Sequence, residues 1–315
     1  MHNRCMIDSK ILTLRAFAAC GTVAATAELT GYSPSAVSAQ LRELQRQLGV
    51  RLLVKEGRGV SLTAAGRKLV AGSDALLAAW EQLRATTLNA DDQVQGQFGL
   101  GGFSTAAARL LAPLAANLKI SRPHVEVHLI EANPTRCFEM LVAERIDMAV
   151  VVAMRVGQPA EDDTRFEQIT LLDDPLDVVV PADHPLSDQG KVHLEELAAE
   201  KWITDTQGSA YRELFTSAFS AVGLRPKVAH EAQEWETMTA FVGAGLGVGF
   251  LPRLAPMGGT VNVKRLRLVG PSRPTRRIVA AVRRGSLGSP LVIESLEFLQ
   301  GTAHRILEAR QGEEV

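Results

Sequence analysis

The residues near the N-terminus best suited to chemistry are hydrogen-bonding and basic side chains on one stretch, Pro34 to Gly49, PSAVSAQLRELQRQLG. Val37, Leu41, Leu44 and Leu48 recur at helical spacing and make an apolar stripe for a core. The same period turns Ser35, Ser38, Ala39, Gln40, Arg42 and Arg46 outward. Serine and glutamine can read base edges in a major groove, and arginine can grip guanine through two hydrogen bonds or hold a phosphate. An isolated helix with a merely solvated face would look the same, so the flanks decide. After Gly49, Val50 to Val54 reads as a strand, Lys55-Glu56-Gly57-Arg58-Gly59 as a tight turn and Val60-Ser61-Leu62 as the returning strand. That is a two-stranded wing with Lys55 and Arg58 at its tip. Upstream, Ile11 to Cys20 places Leu14, Phe17 and Ala18 on a helical face, and Gly21 ends it. Thr22 caps a short second helix, Val23 to Leu29, whose alanines admit a close neighbour. Ser33 and Pro34 then start the third helix sharply, as cap and first helical residue.

Other candidate chemistries fail on spacing. Gly243-Ala244-Gly245-Leu246-Gly247 has the look of a dinucleotide loop but follows a helix and precedes a strand, the reverse of the required order. His124 and His128 flank Glu126, yet four strand residues separate them by ~13 Å, too far to share a metal. Cys5, Cys20 and Cys137 are odd in number and widely spaced, so neither a disulfide framework nor a CxxC pair is available. No phosphate-binding lysine loop, GxSxG elbow or paired catalytic acid stands in a suitable context. The expectation is no catalytic residue, no metal and no cofactor.

Charge separates the chain into two parts. Residues 1–70 carry 10 Lys or Arg against 4 Asp or Glu, whereas residues 71–315 carry 24 against 31. A basic front on an acidic body suggests that the front meets a polyanion. At 315 residues the chain suits more than one core. It has no run of ~20 apolar residues for a membrane span, nor an apolar segment of signal-peptide type. A cytoplasmic location follows as an expectation.

Between front and body, Thr63 caps a long helix from Ala64 to about Asn89. Leu69, Leu76, Trp80 and Leu83 follow the steps of a coiled-coil seam, suited to dimerisation, although a monomeric core helix could show the same steps. The polar stretch Asn89 to Gly96 reads as a hinge. From Gln97 strands and helices alternate, which argues for an α/β fold with largely parallel sheets. Ligands in such folds bind beyond the carboxyl ends of strands. Ser104 and Thr105, after the first strand, and Asn133 and Thr135, after the second, are candidates for that role.

The run TVAATAELTGYSPSAVSAQLRELQRQLGVRLLVKEGRGVSLTAAG closely resembles the DNA-binding domain of LysR-type transcriptional regulators. IDMAVV, PLDVVVPADHPL and VGAGLGVGFLP resemble, more loosely, the family's effector-binding domain, itself similar to periplasmic binding proteins. The resemblance implies a winged helix-turn-helix over residues 1–66, a dimerising linker helix over 67–92 and a two-lobed α/β effector domain over 93–315. Lobe I would hold about 93–170 and 271–315, and lobe II about 171–270. It places Ser33, Pro34, Ser35, Ser38, Gln40 and Arg42 at or near DNA, with Lys55 and Arg58 on the backbone or minor groove. Ala39 departs from the arginine the family often has there. Thr204, Thr206, Gly208 and Ser209 would face a small-molecule effector held between the lobes. Implied partners are a promoter pseudo-palindrome in double-stranded DNA, a second copy of the chain in a dimer or tetramer, and RNA polymerase as a possible contact, with no membrane. Two alternatives remain open: a thiol-switched redox regulator, for which only Cys137 lies in the sensing domain, and a cytoplasmic solute-binding protein with an accessory DNA-binding domain.

Overall fold

Capping decides where the first helices begin and end. In α1 (Ser9–Cys20) the Asp8 side chain accepts from Lys10 N, and Gly21 closes the helix at φ 75°. In α2 (Val23–Thr30) Thr22 accepts from Ala25 N. In α3 (Pro34–Leu48) Ser33 accepts from Ala36 N, Pro34 fills a first-turn position, and Gly49 adopts the left-handed conformation at φ 65°. Leu14, Phe17, Ala27, Val37, Leu41, Leu44 and Leu52 form the core of this head. Leu48 does not join them: it is the last residue of α3 and is 48% exposed, a correction to the apolar stripe read from spacing. β1 (Leu53–Glu56) and β2 (Gly59–Leu62) pair antiparallel as the wing. α4 (Ala64–Leu88) follows, with Thr63 Oγ1 accepting from Gly66 N at 3.0 Å.

The structure is a computed structural model that describes residues 7–57, 59–88, 95–153, 163–257, 262–271 and 273–312. The chain divides into two units. The first takes Met1–Val151, Gln158–Ile169 and Val279–Leu299, and so holds the head, α4 and a first lobe. The second takes Val152–Gly157, Thr170–Ile278 and Gln300–Val315.

In the first lobe, β3 (Gly96–Gly102) leads into a helical stretch of α5 (Ser104–Ala106), a π-helical turn Ala107–Leu111 and α6 (Ala112–Ser121). β4 (Val125–Glu131), α7 (Pro134–Val142) and β5 (Met148–Ala153) complete it. β3 lies between β4 and β5, parallel to both, with Phe98 opposite Val127 and Leu100 opposite Met148. Glycine at position 99 is required by this packing, because a Cβ there would stand 2.8 Å from Ile146 Cα.

The second unit is built on β6 (Phe166–Pro181), β7 (Lys191–His193), β8 (Lys201–Thr204), α8 (Ala210–Ala221), β9 (Lys227–Glu231), α9 (Trp235–Gly243), β10 (Val248–Pro252) and β11 (Val263–Val269). β12 (Thr275–Arg283) and α10 (Pro290–Gly312) close the chain. β10 pairs antiparallel with β6 and parallel with β8, which pairs parallel with β9. β11 runs antiparallel to β6 and parallel to β7. Trp202, fully buried, anchors the core, with Phe215, Phe219 and Phe250 edge-on at 5.5, 5.0 and 4.9 Å. Among the described residues, no helix is long and apolar enough to cross a membrane.

Candidate functional sites

On α3, burial divides the polar residues. Leu41 and Leu44 face the core, while Ser33, Pro34, Ser35, Ala39, Arg42 and Arg46 are exposed and Ser38 is half-buried. Gln40 departs from the outward direction expected of it: Thr13 Oγ1 donates to its Oε1 at 2.5 Å, so its amide is tied into the head between α1 and α3. Ser33 is occupied as a cap, and its Oγ lies 2.9 Å from Ser35 Oγ. Arg46 is held by Glu43, one turn back on α3, at 2.6 and 2.8 Å. Lys55 is exposed on the wing, and Arg58 lies outside the described residues. The head therefore presents hydroxyl groups and a guanidinium on one helix, supported by a basic wing.

α4 has two faces of different character. Ser73, Leu77, Glu81 and Ala85, spaced by one helical turn, are buried within the first unit. Leu76 and Leu83 are 52% and 58% exposed, and Trp80 between them is half-buried. Leu69, grouped with these three by spacing, packs instead against the head core. The buried face includes a charge network that spacing gave no sign of. Arg283 on β12 donates from Nε to Glu81 Oε1 at 2.6 Å, from Nη2 to Asp147 Oδ1 at 2.9 Å and from Nη1 to Ile146 O at 2.6 Å. Asp147 Oδ2 also accepts from Gly99 N at 2.8 Å. Burial disfavours the Arg283 charge, but the Glu81 and Asp147 carboxylates outweigh that and hold it firmly protonated. Gly285 permits the approach of α4, since a Cβ there would meet Ala78 O at 2.3 Å.

The first lobe offers the turns after β3 and β4. Ser104 is exposed and Thr105 buried at the start of α5. Asn133 Oδ1 caps α7 by accepting from Arg136 N at 2.9 Å, with Thr135 exposed in the same first turn. Among cysteines, Cys137 is fully buried in α7 and burial pushes its thiol up to about 12. Cys5 lies outside the described residues.

The second unit offers the turn after β8. Thr204 ends that strand, Gly208 takes φ 86°, and Ser209 caps α8 by accepting from Arg212 N at 3.1 Å. Thr206 Oγ1 donates to Asp205 Oδ1 at 3.2 Å and accepts from Gln233 Nε2 at 3.4 Å. Several residues here escaped sequence reasoning. Tyr211 and Trp235, half-buried, stand edge-on at 5.0 Å, and Arg276 Nη1 donates to Tyr211 Oη at 2.6 Å. Arg276 is itself fixed by Asp174 at 2.8 Å, both fully buried. Burial raises the pKa of Asp174, and the Arg276 guanidinium opposes the rise. The signal available was that Tyr211 and Trp235 sit in the first turns of helices that follow strands, where ligand-facing groups gather. Among the described residues, no cluster of His, Cys, Asp or Glu could hold a metal.

Comparison with known proteins bears on both parts. Residues 9–67 match a model described as bacterial regulatory helix-turn-helix protein, lysR family, and residues 91–303 match the LysR substrate binding domain. The regulator CysB of Burkholderia cenocepacia is 29% identical over 284 residues, covering 89% of each chain. A full-length OxyR variant from Pseudomonas aeruginosa superposes with a TM-score of 0.66 at 20% identity, covering 96% of both chains. Full-length CbnR in a structure with its target DNA gives 0.55 at 21% identity, covering 93% of this chain and 98% of its own.

Proposed function

The chain belongs to the LysR family and is a DNA-binding transcriptional regulator with an effector-binding domain, and we propose that α3 reads operator DNA while a small molecule at the strand-to-helix turns gates the outcome. The observation that carries this is the outward row of α3. Ser35, Ala39 and Arg42 stand exposed on a helix whose other face is sealed by Val37, Leu41 and Leu44. Alanine at position 39 leaves Arg42 as the principal charged contact of that row, with Lys55 for the flanking backbone.

LysR regulators act as oligomers, and α4 supplies the surface for one here. Leu76 and Leu83 stand exposed on α4 with Trp80 half-buried between them, so a second copy can cover them. Two heads would then meet two half-sites about one DNA turn apart. For the effector we assign Ser104, Thr105, Asn133 and Thr135 in the first lobe, and Thr204, Thr206, Gly208 and Ser209 in the second unit, joined by Tyr211 and Trp235. Differential affinity of that ligand for two conformations shifts their populations and changes how the assembly spans or bends its operator. The scheme needs no catalysis, metal or further cofactor, and it places the chain with the chromosome in the cytoplasm. Ligand gating is preferred over a thiol switch because Cys137 is buried and its thiol stays protonated at neutral pH.

Selection of bound fragments from a random-sequence DNA pool tests the proposal. The full-length chain should enrich a two-fold-related pair of half-sites with centres roughly 10 base pairs apart. Arg42→Ala should enrich it weakly. A pool left unenriched by the unaltered chain contradicts the assignment.

A further inference from the structure

We propose that α7 couples the effector turns to the DNA-binding head within a single chain: the head docks against α7, whose N-terminal end carries Asn133 and Thr135. The proposal rests on the assignment of those two residues to effector binding made above.

The docking is built from small, specific contacts. α1 packs along α7. Just past the end of α7, Arg145 Nη1 donates to Leu29 O at 3.3 Å. Leu29 lies in the last turn of α2, where carbonyls lack helical partners and the helix dipole presents its negative end, so a guanidinium is well placed there. Arg136 binds Glu139 at 2.9 Å on its own helix and reaches Glu28 of α2 at 3.8 Å. Cys20, the last residue of α1, lies in the field of Glu139, Arg136 and Glu28, which places its half-buried thiol beside this seam.

α7 is suited to transmission because its other side is locked into the first lobe. Cys137, Phe138 and Leu141 are buried there. A packed helix of 9 residues shifts as a body, so displacement of its capped start moves the flank that bears Arg136 and Glu139. Docking leaves Ser35, Ala39, Arg42 and Lys55 exposed and therefore does not occlude DNA. What it fixes is the direction in which α3 points. In a dimer reading two half-sites, that direction determines the spacing or bend the pair accepts.

The test uses the full-length chain and N-ethylmaleimide, with modification of Cys20 followed by peptide mass spectrometry. Docking should keep Cys20 slow to react, and the paired change Arg136→Glu, Arg145→Glu should speed it by about 5- to 30-fold. Combining Glu28→Arg with Arg136→Glu should restore slow labelling, which a fold defect would not do. Asn133→Ala, which removes the cap at the start of α7, should also accelerate Cys20, whereas Thr216→Ala, on the exposed side of α8 in the second unit, should leave its rate unchanged. Equal rates in the unaltered and charge-reversed chains would overturn the docking. Acceleration by charge reversal with no response to Asn133→Ala would overturn the coupling. Neither arm requires DNA or effector, so this test and the DNA selection fail independently.

Discussion

Arg283→Met removes the centre of the network that ties α4 to the first lobe, and its consequence can be worked from the geometry. The guanidinium satisfies Glu81, Asp147 and the Ile146 carbonyl at 2.6 to 2.9 Å. The two carboxylate side chains are only 5% and 9% exposed, so neither can recover its hydration once the arginine is gone. Breaking a buried pair from one side costs about 3–5 kcal/mol, mostly through the charge left behind. For a unit of this size that lowers the thermal midpoint by roughly 6–20 °C, from about 2–4 °C per kcal/mol. Denaturation monitored by calorimetry and urea titration would read it. Adding Glu81→Met should return part of the loss, because one stranded charge disappears, giving a coupling of about 0.5–3 kcal/mol between the two positions. Asp147 keeps its bond to Gly99 N in both variants. A loss below about 1 kcal/mol, the value of an exposed ion pair, would show that water reaches the network and that it does not clamp α4.

Two further outcomes follow from substitutions on α4 and α7. Leu76→Asp with Leu83→Asp places charges on the exposed apolar side of α4 and should convert the oligomer to smaller species by sedimentation, with little change in the folding of each chain; an unaltered mass would assign the assembly to another surface. Cys137 has its thiol raised by burial from 9.0 to about 12, so unfolding releases its proton more readily than the native state does. The stability this contributes is complete below the unfolded value and fades as pH climbs from about 9 towards 12. Cys137→Ala should therefore lose stability less steeply than the unaltered chain over that alkaline range in denaturant titrations, and parallel curves would refute the burial argument.

Legibility in the sequence varied with how locally each feature is determined. The head was readable because caps, glycine stops and apolar spacing act within a few residues: Thr22, Ser33, Pro34 and Gly49 stand where the structure uses them. Gln40 and Leu48 were misplaced because periodicity gives the face of a residue but not what faces it, here Thr13 for one and solvent for the other. In the effector domain, the runs IDMAVV and VGAGLGVGFLP contain the apolar strands β5 and β10. β11 went unread although VKRLRLV alternates basic with apolar residues at the period of a half-buried strand; its Arg265 donates to the carbonyls of Pro252 and Ala255. The run PLDVVVPADHPL marks only the second half of β6, since Asp173 and Asp174 interrupt the apolar pattern ahead of it. The buried partners of Arg283 and Arg276 lie 102 to 202 residues away, beyond the reach of any local pattern.

The central claim is that α3 and the wing bind DNA through Arg42 and Lys55, and a salt series on the operator recovered by selection tests it most directly. The logarithm of the binding constant should fall linearly with the logarithm of salt concentration, and Arg42→Ala or Lys55→Ala should each reduce the slope by about 1.8 in a dimer if the side chain holds a phosphate in both heads. Weaker binding at an unchanged slope would place that residue on a base edge. An affinity and slope unaffected by either substitution would contradict the account.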